Sequence, residues 1–184
     1  MFRITVLISG TGSNLKAIME AVEAGFLKCK IMAVISDNSN AGGLKYAEGK
    51  GVKTYTFSRK SISEEILQTV RGNTDLIVCA GFLSILGGEL LAEFHNRIIN
   101  IHPSLIPSFC GKGMYGIKVH QAVVASGNKV SGCTVHFVES GIDTGPVILQ
   151  KKVEVLYTDT AEDLQKRVLA EEHKAIVEAI KMII

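Results

Sequence analysis

Asn100 and His102 stand two residues apart in the run Asn100-Ile101-His102-Pro103-Ser104-Leu105-Ile106-Pro107, directly after the apolar pair Ile98-Ile99. Strand side chains alternate, so the amide and the imidazole face the same way at the end of a buried strand. Strand ends are where α/β folds build their sites. An asparagine amide donates to an oxyanion as it develops on a carbonyl. An imidazole takes and returns a proton near neutral pH. Together they suggest acyl-type transfer. Pro103 and Pro107 stiffen the loop that follows and fix its direction. Read alone, an Asn-x-His run is more often a capped strand end with a solvent-facing histidine, so the pair needs support from elsewhere in the chain.

Gly10-Thr11-Gly12-Ser13-Asn14 leaves the first apolar run and opens an amphipathic stretch. Glycines let backbone N–H groups approach an anion, and a helix N-terminus adds a favourable dipole. Ser13 and Asn14 can donate further hydrogen bonds. No Gly-Lys-Ser/Thr follows, and Leu15 takes the third glycine position of a dinucleotide fingerprint. The loop therefore suits a single phosphate; the alternative is a plain strand-to-helix turn with Ser13 as cap. Gly141-Ile142-Asp143-Thr144-Gly145-Pro146 separates two strand-like runs. A carboxylate brought beside His102 favours and orients the charged imidazole, whereas the hexapeptide by itself reads as a hairpin turn. Gly81 through Gly88 leaves a fully apolar strand. Its Leu83, Ser84, Ile85 and Leu86 either line a slot for a flat heterocycle or belong to a turn that packs Leu83 and Leu86 inward. Glu172-His173 lies on the last helical stretch, where most such pairs form a solvated face. His95, His120 and His136 read as surface or packing residues unless the fold gathers them.

The elements that must position these groups follow from periodicity. Apolar runs at 4–8, 31–35, 52–57, 76–80 and 97–101 alternate with amphipathic stretches, of which Leu15, Ile18, Met19 and Val22 are the clearest helical face. Two further strands, 130–138 and 147–155, precede a long helix over 161–184, with Thr160 and Asp163 as its capping pair. The order predicts a single-domain, Rossmann-like α/β fold: an open, mostly parallel sheet of about seven strands, helices on both faces, and an antiparallel late pair. The site then falls at the carboxyl ends of the first, fourth and fifth strands, near the reversal of strand order.

The chain has 184 residues, 47% apolar and 21% charged, which fits one domain over 1–184 with a sizeable core and excludes disorder. A net charge of +2 and the absence of Trp leave neither the basic footprint nor the stacking platform of a nucleic-acid binder. No run approaches the ~20 apolar residues of a membrane helix. Met1 to Ile8 lacks a cleavage site and soon turns glycine-rich, so it reads as a first strand and not a signal peptide. Cys29, Cys79, Cys110 and Cys133 form no Cys-x-x-Cys pair and have no histidine at zinc spacing. No metal is expected, and all four are read as reduced thiols of a cytoplasmic protein.

In chain order, Val6-Leu7-Ile8-Ser9-Gly10, Ala80-Gly81-Phe82, Asn100-Ile101-His102-Pro103-Ser104-Leu105, Gly132-Cys133-Thr134-Val135-His136-Phe137 and Asp143-Thr144-Gly145-Pro146-Val147-Ile148-Leu149-Gln150 resemble the phosphoribosylglycinamide formyltransferase family, over nearly the whole chain. The resemblance implies direct transfer of a formyl group from 10-formyltetrahydrofolate, as co-substrate, to the amine of phosphoribosylglycinamide in purine synthesis. It implies Asn100, His102 and Asp143 as a catalytic trio that stabilises the tetrahedral oxyanion and moves the proton. It implies Gly12, Ser13 and Asn14 on the ribotide phosphate and Glu172 on its ribose. It implies Leu83, Ser84, Ile85 and Leu86, with Asn100, on the folate, whose pteridine is read largely by backbone atoms. Neither a metal nor a covalent enzyme intermediate is implied.

Ser84 stands where many relatives carry a basic residue, and the segment after Phe57 is short, leaving Arg59 or Lys60 as substitutes. Leu169 stands where some relatives have a polar contact, and Gly111-Lys112-Gly113-Met114-Tyr115-Gly116 reads as a mobile loop over the site. Small molecules are the expected partners of a monomer or weak homodimer, without nucleic acid or membrane. A methionyl-tRNA formyltransferase needs an added C-terminal domain and a formyltetrahydrofolate hydrolase an added N-terminal one, for which 184 residues leave no length. A non-catalytic nucleotide-binding module is the alternative from a different class.

Overall fold

The computed structural model describes residues 1–184. The chain runs β1 (Phe2–Ile8), α1 (Ser13–Glu23), β2 (Cys29–Ser36), α2 (Gly42–Gly49), β3 (Thr54–Thr56), α3 (Ile62–Val70), β4 (Leu76–Cys79), α4 (Glu89–Glu93), β5 (Ile98–His102), α5 (Ile117–Ser126), β6 (Val130–Phe137), β7 (Val147–Glu154) and α6 (Ala161–Ile183). The seven strands form one sheet in the order β3-β2-β1-β4-β5-β6-β7. The first five are mutually parallel, and β6 and β7 join antiparallel. The chain moves outward from β1 to β3 and then returns to place β4 on the other side of β1. The strand order therefore reverses between β1 and β4, and a crevice opens beyond their carboxyl ends.

Helices cover both faces because the central strands are apolar on both. In β1, Ile4, Val6 and Ile8 pack with α1, α2 and α6, while Leu7 points through the sheet toward α3 and α4. α1 buries Leu15, Ile18 and Met19 at helical spacing. α6 buries Leu164, Val168, Ile176 and Ile180 on one stripe. A complete capping box starts this helix: the Thr160 hydroxyl accepts the Asp163 N–H at 3.2 Å, and the Asp163 carboxylate accepts the Thr160 N–H at 3.2 Å. No helix is long and apolar enough to cross a membrane.

Two local expectations differ from the structure. The third strand spans Thr54–Thr56 instead of 52–57, because it is an edge strand with β2 as its one neighbour. Ser13 is the first helical residue and not the cap. Gly12 caps α1 in the left-handed region at φ 79°, a conformation that costs glycine nothing.

Candidate active site

Beyond the ends of β1, β4 and β5 lies a cleft of about 660 Å³. The residues that the resemblance implies for catalysis and for the two substrates line it: Gly12, Ser13 and Asn14; Leu83 through Leu86; Asn100, His102 and Asp143; and Glu172. Leu169 and the Gly111–Gly116 segment line it as well.

β5 carries Asn100 and His102 on one face, as alternation requires. The antiparallel register sets His136 of β6 opposite Asn100 and Thr134 opposite His102. His102 is buried. Its Nε2–H donates to the Phe109 carbonyl oxygen at 3.0 Å, and its Nδ1 lies 3.6 Å from Asp143 Oδ2. That second contact is an ion pair once the ring is protonated. Asp143 reaches this point from the β6–β7 loop with φ 57°, and Phe109 holds φ 51°. Both are side-chain-bearing residues in the left-handed region, a conformation that collects at functional loops. Asp143 Oδ2 also accepts the Gly111 N–H at 2.9 Å, which ties the Gly111–Gly116 segment to the site. Asp143 Oδ1 lies 3.7 Å from His136 Nε2.

Burial sets the charge of the remaining groups. It pushes the His136 pKa below the ordinary histidine range, opposed by the Phe137 carbonyl and the Asp143 charge. It pushes His120, with a smaller repulsion from His102, down to about 4. Glu172 is pushed up by burial, and its hydrogen bond from Asn14 pulls the other way.

The glycine-rich loop is fixed from beneath. A Cβ at Gly12 would sit 2.7 Å from Gly43 Cα, so the loop and the start of α2 touch through two glycines. The Gly43 N–H donates to Gly10 O at 3.2 Å. Asn14, on the first turn of α1, donates from Nδ2 to Glu172 Oε2 at 2.8 Å, and both side chains are buried. Glu172 is therefore no solvated-face residue: α6 packs on α1 and turns it into the cleft. The loop is tied to the opposite wall through Ser9, whose N–H donates to Gly81 O at 3.0 Å and whose Oγ accepts the Leu83 N–H at 2.8 Å.

On that wall Leu83 and Ile85 are 50% and 69% exposed, an apolar lip such as a flat ring could cover. The Ser84 hydroxyl donates to Asp37 Oδ2 at 2.7 Å, and Arg59 Nε approaches the same oxygen at 3.1 Å. A second depression of about 560 Å³ shares Ile85 and Leu86 with the cleft and carries Arg59 and Lys60 on its wall. Ser84 thus stands where Arg59 brings a positive charge from a different segment. No group of three His, Cys, Asp or Glu side chains is placed to hold a metal ion.

His120 and His136, read from the sequence as surface or packing residues, are gathered into the cleft wall. The usable signal for His136 was alternation. Thr134 and His136 share a face of β6, and an antiparallel partner in β5 brings that face to Asn100 and His102. His120 lies on a helix whose polar and apolar residues are interspersed around its circumference, so periodicity does not distinguish it. The Phe109 carbonyl and Gly111 N–H are backbone groups without any side-chain signature.

The strand-end cleft of this doubly wound α/β sheet thus brings together an amide, an imidazole and a carboxylate from β5 and the β6–β7 loop. The Formyl transferase family matches residues 2–180, and the chain belongs to that family. It is 41% identical over 186 residues to the chloroplastic phosphoribosylglycinamide formyltransferase of Vigna unguiculata, covering 97% of this chain and 60% of that protein. It is 37% identical over 177 residues to the phosphoribosylglycinamide formyltransferase of Escherichia coli (strain K12), covering 92% of this chain and 81% of that one. The crystal structure of phosphoribosylglycinamide formyltransferase from Anaplasma phagocytophilum superposes with a TM-score of 0.91 at 42% identity, covering 99% of this chain and 86% of that one. The chain thus spans about 60% of the length of the plant relative.

Proposed function

We propose that this chain transfers the formyl group of 10-formyltetrahydrofolate to the amine of 5'-phosphoribosylglycinamide, a step of purine biosynthesis. The observation that carries this reading is the meeting of Asn100, His102 and Asp143 in one cleft, between a glycine-rich helix N-terminus and an apolar lip. The names of the relatives support it. In this reading the backbone of Gly12 and Ser13, with Asn14, holds the ribotide phosphate at the positive end of α1. Glu172 accepts from the ribose hydroxyls. The exposed Leu83 and Ile85, with Ser84, Leu86 and nearby backbone groups, fit a flat pteridine, and Arg59 offers a cation to the acidic end of the folate. The folate supplies an activated formyl group when bound.

Asn100 and His102 then stabilise negative charge on the formyl oxygen, and loss of one such donor typically costs about 2.7–4 kcal/mol of barrier. Asp143 keeps His102 oriented and compensates its charge. The amine bonds to the formyl carbon, the bond from that carbon to the folate nitrogen breaks, and the proton the amine loses passes by way of His102, whose Nε2–H exchanges the Phe109 carbonyl for substrate, to the leaving folate nitrogen. Holding two substrates in one cleft can remove a further ~7–11 kcal/mol.

The deciding assay supplies 10-formyltetrahydrofolate with and without glycinamide ribotide. Tetrahydrofolate is expected only with the ribotide, in equal amount to formylated product. Release independent of the ribotide would make water the acceptor and the chain a hydrolase. Residues 1–184 act in this reading as one catalytic domain, a monomer or weak homodimer with small-molecule partners. The four unpaired thiols suit a reducing cytoplasm.

A further inference from the structure

His136 is a buried group in the cleft wall to which the transfer scheme gives no part. Its ring is 2% exposed, and its three polar neighbours fix its state. Nδ1 lies 2.8 Å from the Phe137 carbonyl oxygen. A carbonyl oxygen only accepts, so Nδ1 carries the hydrogen. In a neutral ring Nε2 is then a bare lone pair. Asn100 Nδ2, 3.2 Å away, must be the donor to it. Asp143 Oδ1 stands 3.7 Å from the same Nε2, beyond hydrogen-bond distance, as expected for a nitrogen without a hydrogen. The reverse tautomer fails on two counts. It would leave Nδ1 and the Phe137 oxygen as two facing acceptors, and it would turn an N–H toward the Asn100 amide nitrogen.

The consequence falls on Asn100. The two ends of an amide are nearly equal in shape but opposite in hydrogen-bond character. Only one orientation lets Asn100 donate to His136, and in that orientation its second Nδ2–H is the donor left for other use. We propose that His136 is a positioning residue which, held as the Nδ1–H tautomer by the Phe137 carbonyl, fixes the orientation of the Asn100 amide so that its donor is in place before the substrates arrive. Burial supports the neutral ring this needs. The charged or titratable groups facing it are Asp143, which favours protonation, and His102, which opposes it. The proposal rests on the formyl-transfer reading only for what the amide does, not for how it is held.

Two measurements test it separately. In the ¹⁵N spectrum of the imidazoles of the intact protein at pH 7, His136 is expected to show a protonated Nδ1 and an unprotonated Nε2. A protonated Nε2 would overturn the proposal whatever reaction the chain catalyses. In the ribotide-dependent assay, His136→Leu removes the acceptor at similar volume and is expected to lower kcat about 10- to 100-fold, with both KM values within about threefold. His136→Gln restores an acceptor and is expected to regain at least about fivefold of that loss. Equal kcat in the Leu and Gln variants, or a Leu variant at wild-type kcat, would sink the idea. Should the Leu variant not fold, the tautomer measurement decides. Failure of the wild-type chain to use the ribotide would count against the reaction and leave the tautomer result standing.

Discussion

His102 is engaged at both ring nitrogens. Nε2–H donates to the Phe109 carbonyl and Nδ1 faces the Asp143 carboxylate. The Nε2–H satisfies the Phe109 carbonyl, and the Asp143 carboxylate, 3.6 Å from Nδ1, stands just beyond hydrogen-bond distance as a charge beside the ring. In the proposed mechanism Asp143 acts through the imidazole. His102→Ala and Asp143→Asn are each expected to lower kcat by about 10²–10⁴-fold, the range for a proton-transfer or oxyanion group. Ribotide affinity, read by calorimetry, is expected to stay within a few-fold, because the loop proposed to hold the phosphate is built from other residues. Wild-type turnover in both variants would remove the mechanism. The residues of this site were readable from the sequence to different depths. Asn100 and His102 share one strand, so a period of two placed them on one face. Asp143 sits in a turn that by itself reads as a hairpin; its residue type made it a candidate partner for His102, and the resemblance set it in the trio. His136 depends on which residue of β6 lies opposite which residue of β5, and no periodicity within either strand specifies that register.

At the scale of elements, the glycine-rich loop proposed to hold the phosphate depends on a helix that carries none of its polar groups. The start of α2 touches the loop where a Cβ at Gly43 would meet Ile8 Cδ1 at 2.5 Å and Gly12 Cα at 3.0 Å. The isoleucine end can shift, but the backbone of the loop cannot move without displacing the cap of α1. Gly43→Ala is thus expected to destabilise the fold by about 1–3 kcal/mol, as overpacking does. It is also expected to raise the ribotide KM more than it lowers kcat, since the strain is delivered to the anion-binding end of α1 and not to β5. Denaturant titration and steady-state kinetics check the two halves, and an unchanged KM would show that the loop tolerates the displacement. The sequence marked Gly10 and Gly12 as permissive turn residues. It could not mark Gly43 as their partner, because that contact joins two elements across the first crossover. The capping of α6 was readable, since Thr160 and Asp163 act within one turn, whereas the burial of Glu172 was not, since it depends on α6 lying against α1.

Over the whole molecule, the alternation of strands and helices predicted the layers, and the right-handed crossover rule narrows how they wind. The inward step from β3 to β4 that creates the cleft is a property of the assembled sheet. Assembly also buries ionisable groups that nothing local prepares for burial. Burial holds the pKa of His120, His136 and His173 down, that of His120 to about 4 from 6.5. Below 6.5 the unfolded chain takes up protons that the folded one refuses, so stability is full above that value and falls as the pH drops toward 4. Glu172 works in the opposite sense. Its raised pKa means that the folded state keeps a proton above 4.5 that the unfolded chain has lost, which makes stability fall as pH rises through that window. Between pH 7 and pH 5 the three histidines thus lower the urea midpoint while Glu172 raises it, before the ion-paired Asp75, Asp159 and Glu93 become protonated in the unfolded chain. His120 is the group to remove, because its buried Nδ1 has no hydrogen-bond partner to lose. His120→Leu is expected to match or exceed wild-type stability at pH 7 and to gain further on the wild type as the pH falls to 5. A constant difference between variant and wild type over that range would show that His120 contributes nothing to the acid response.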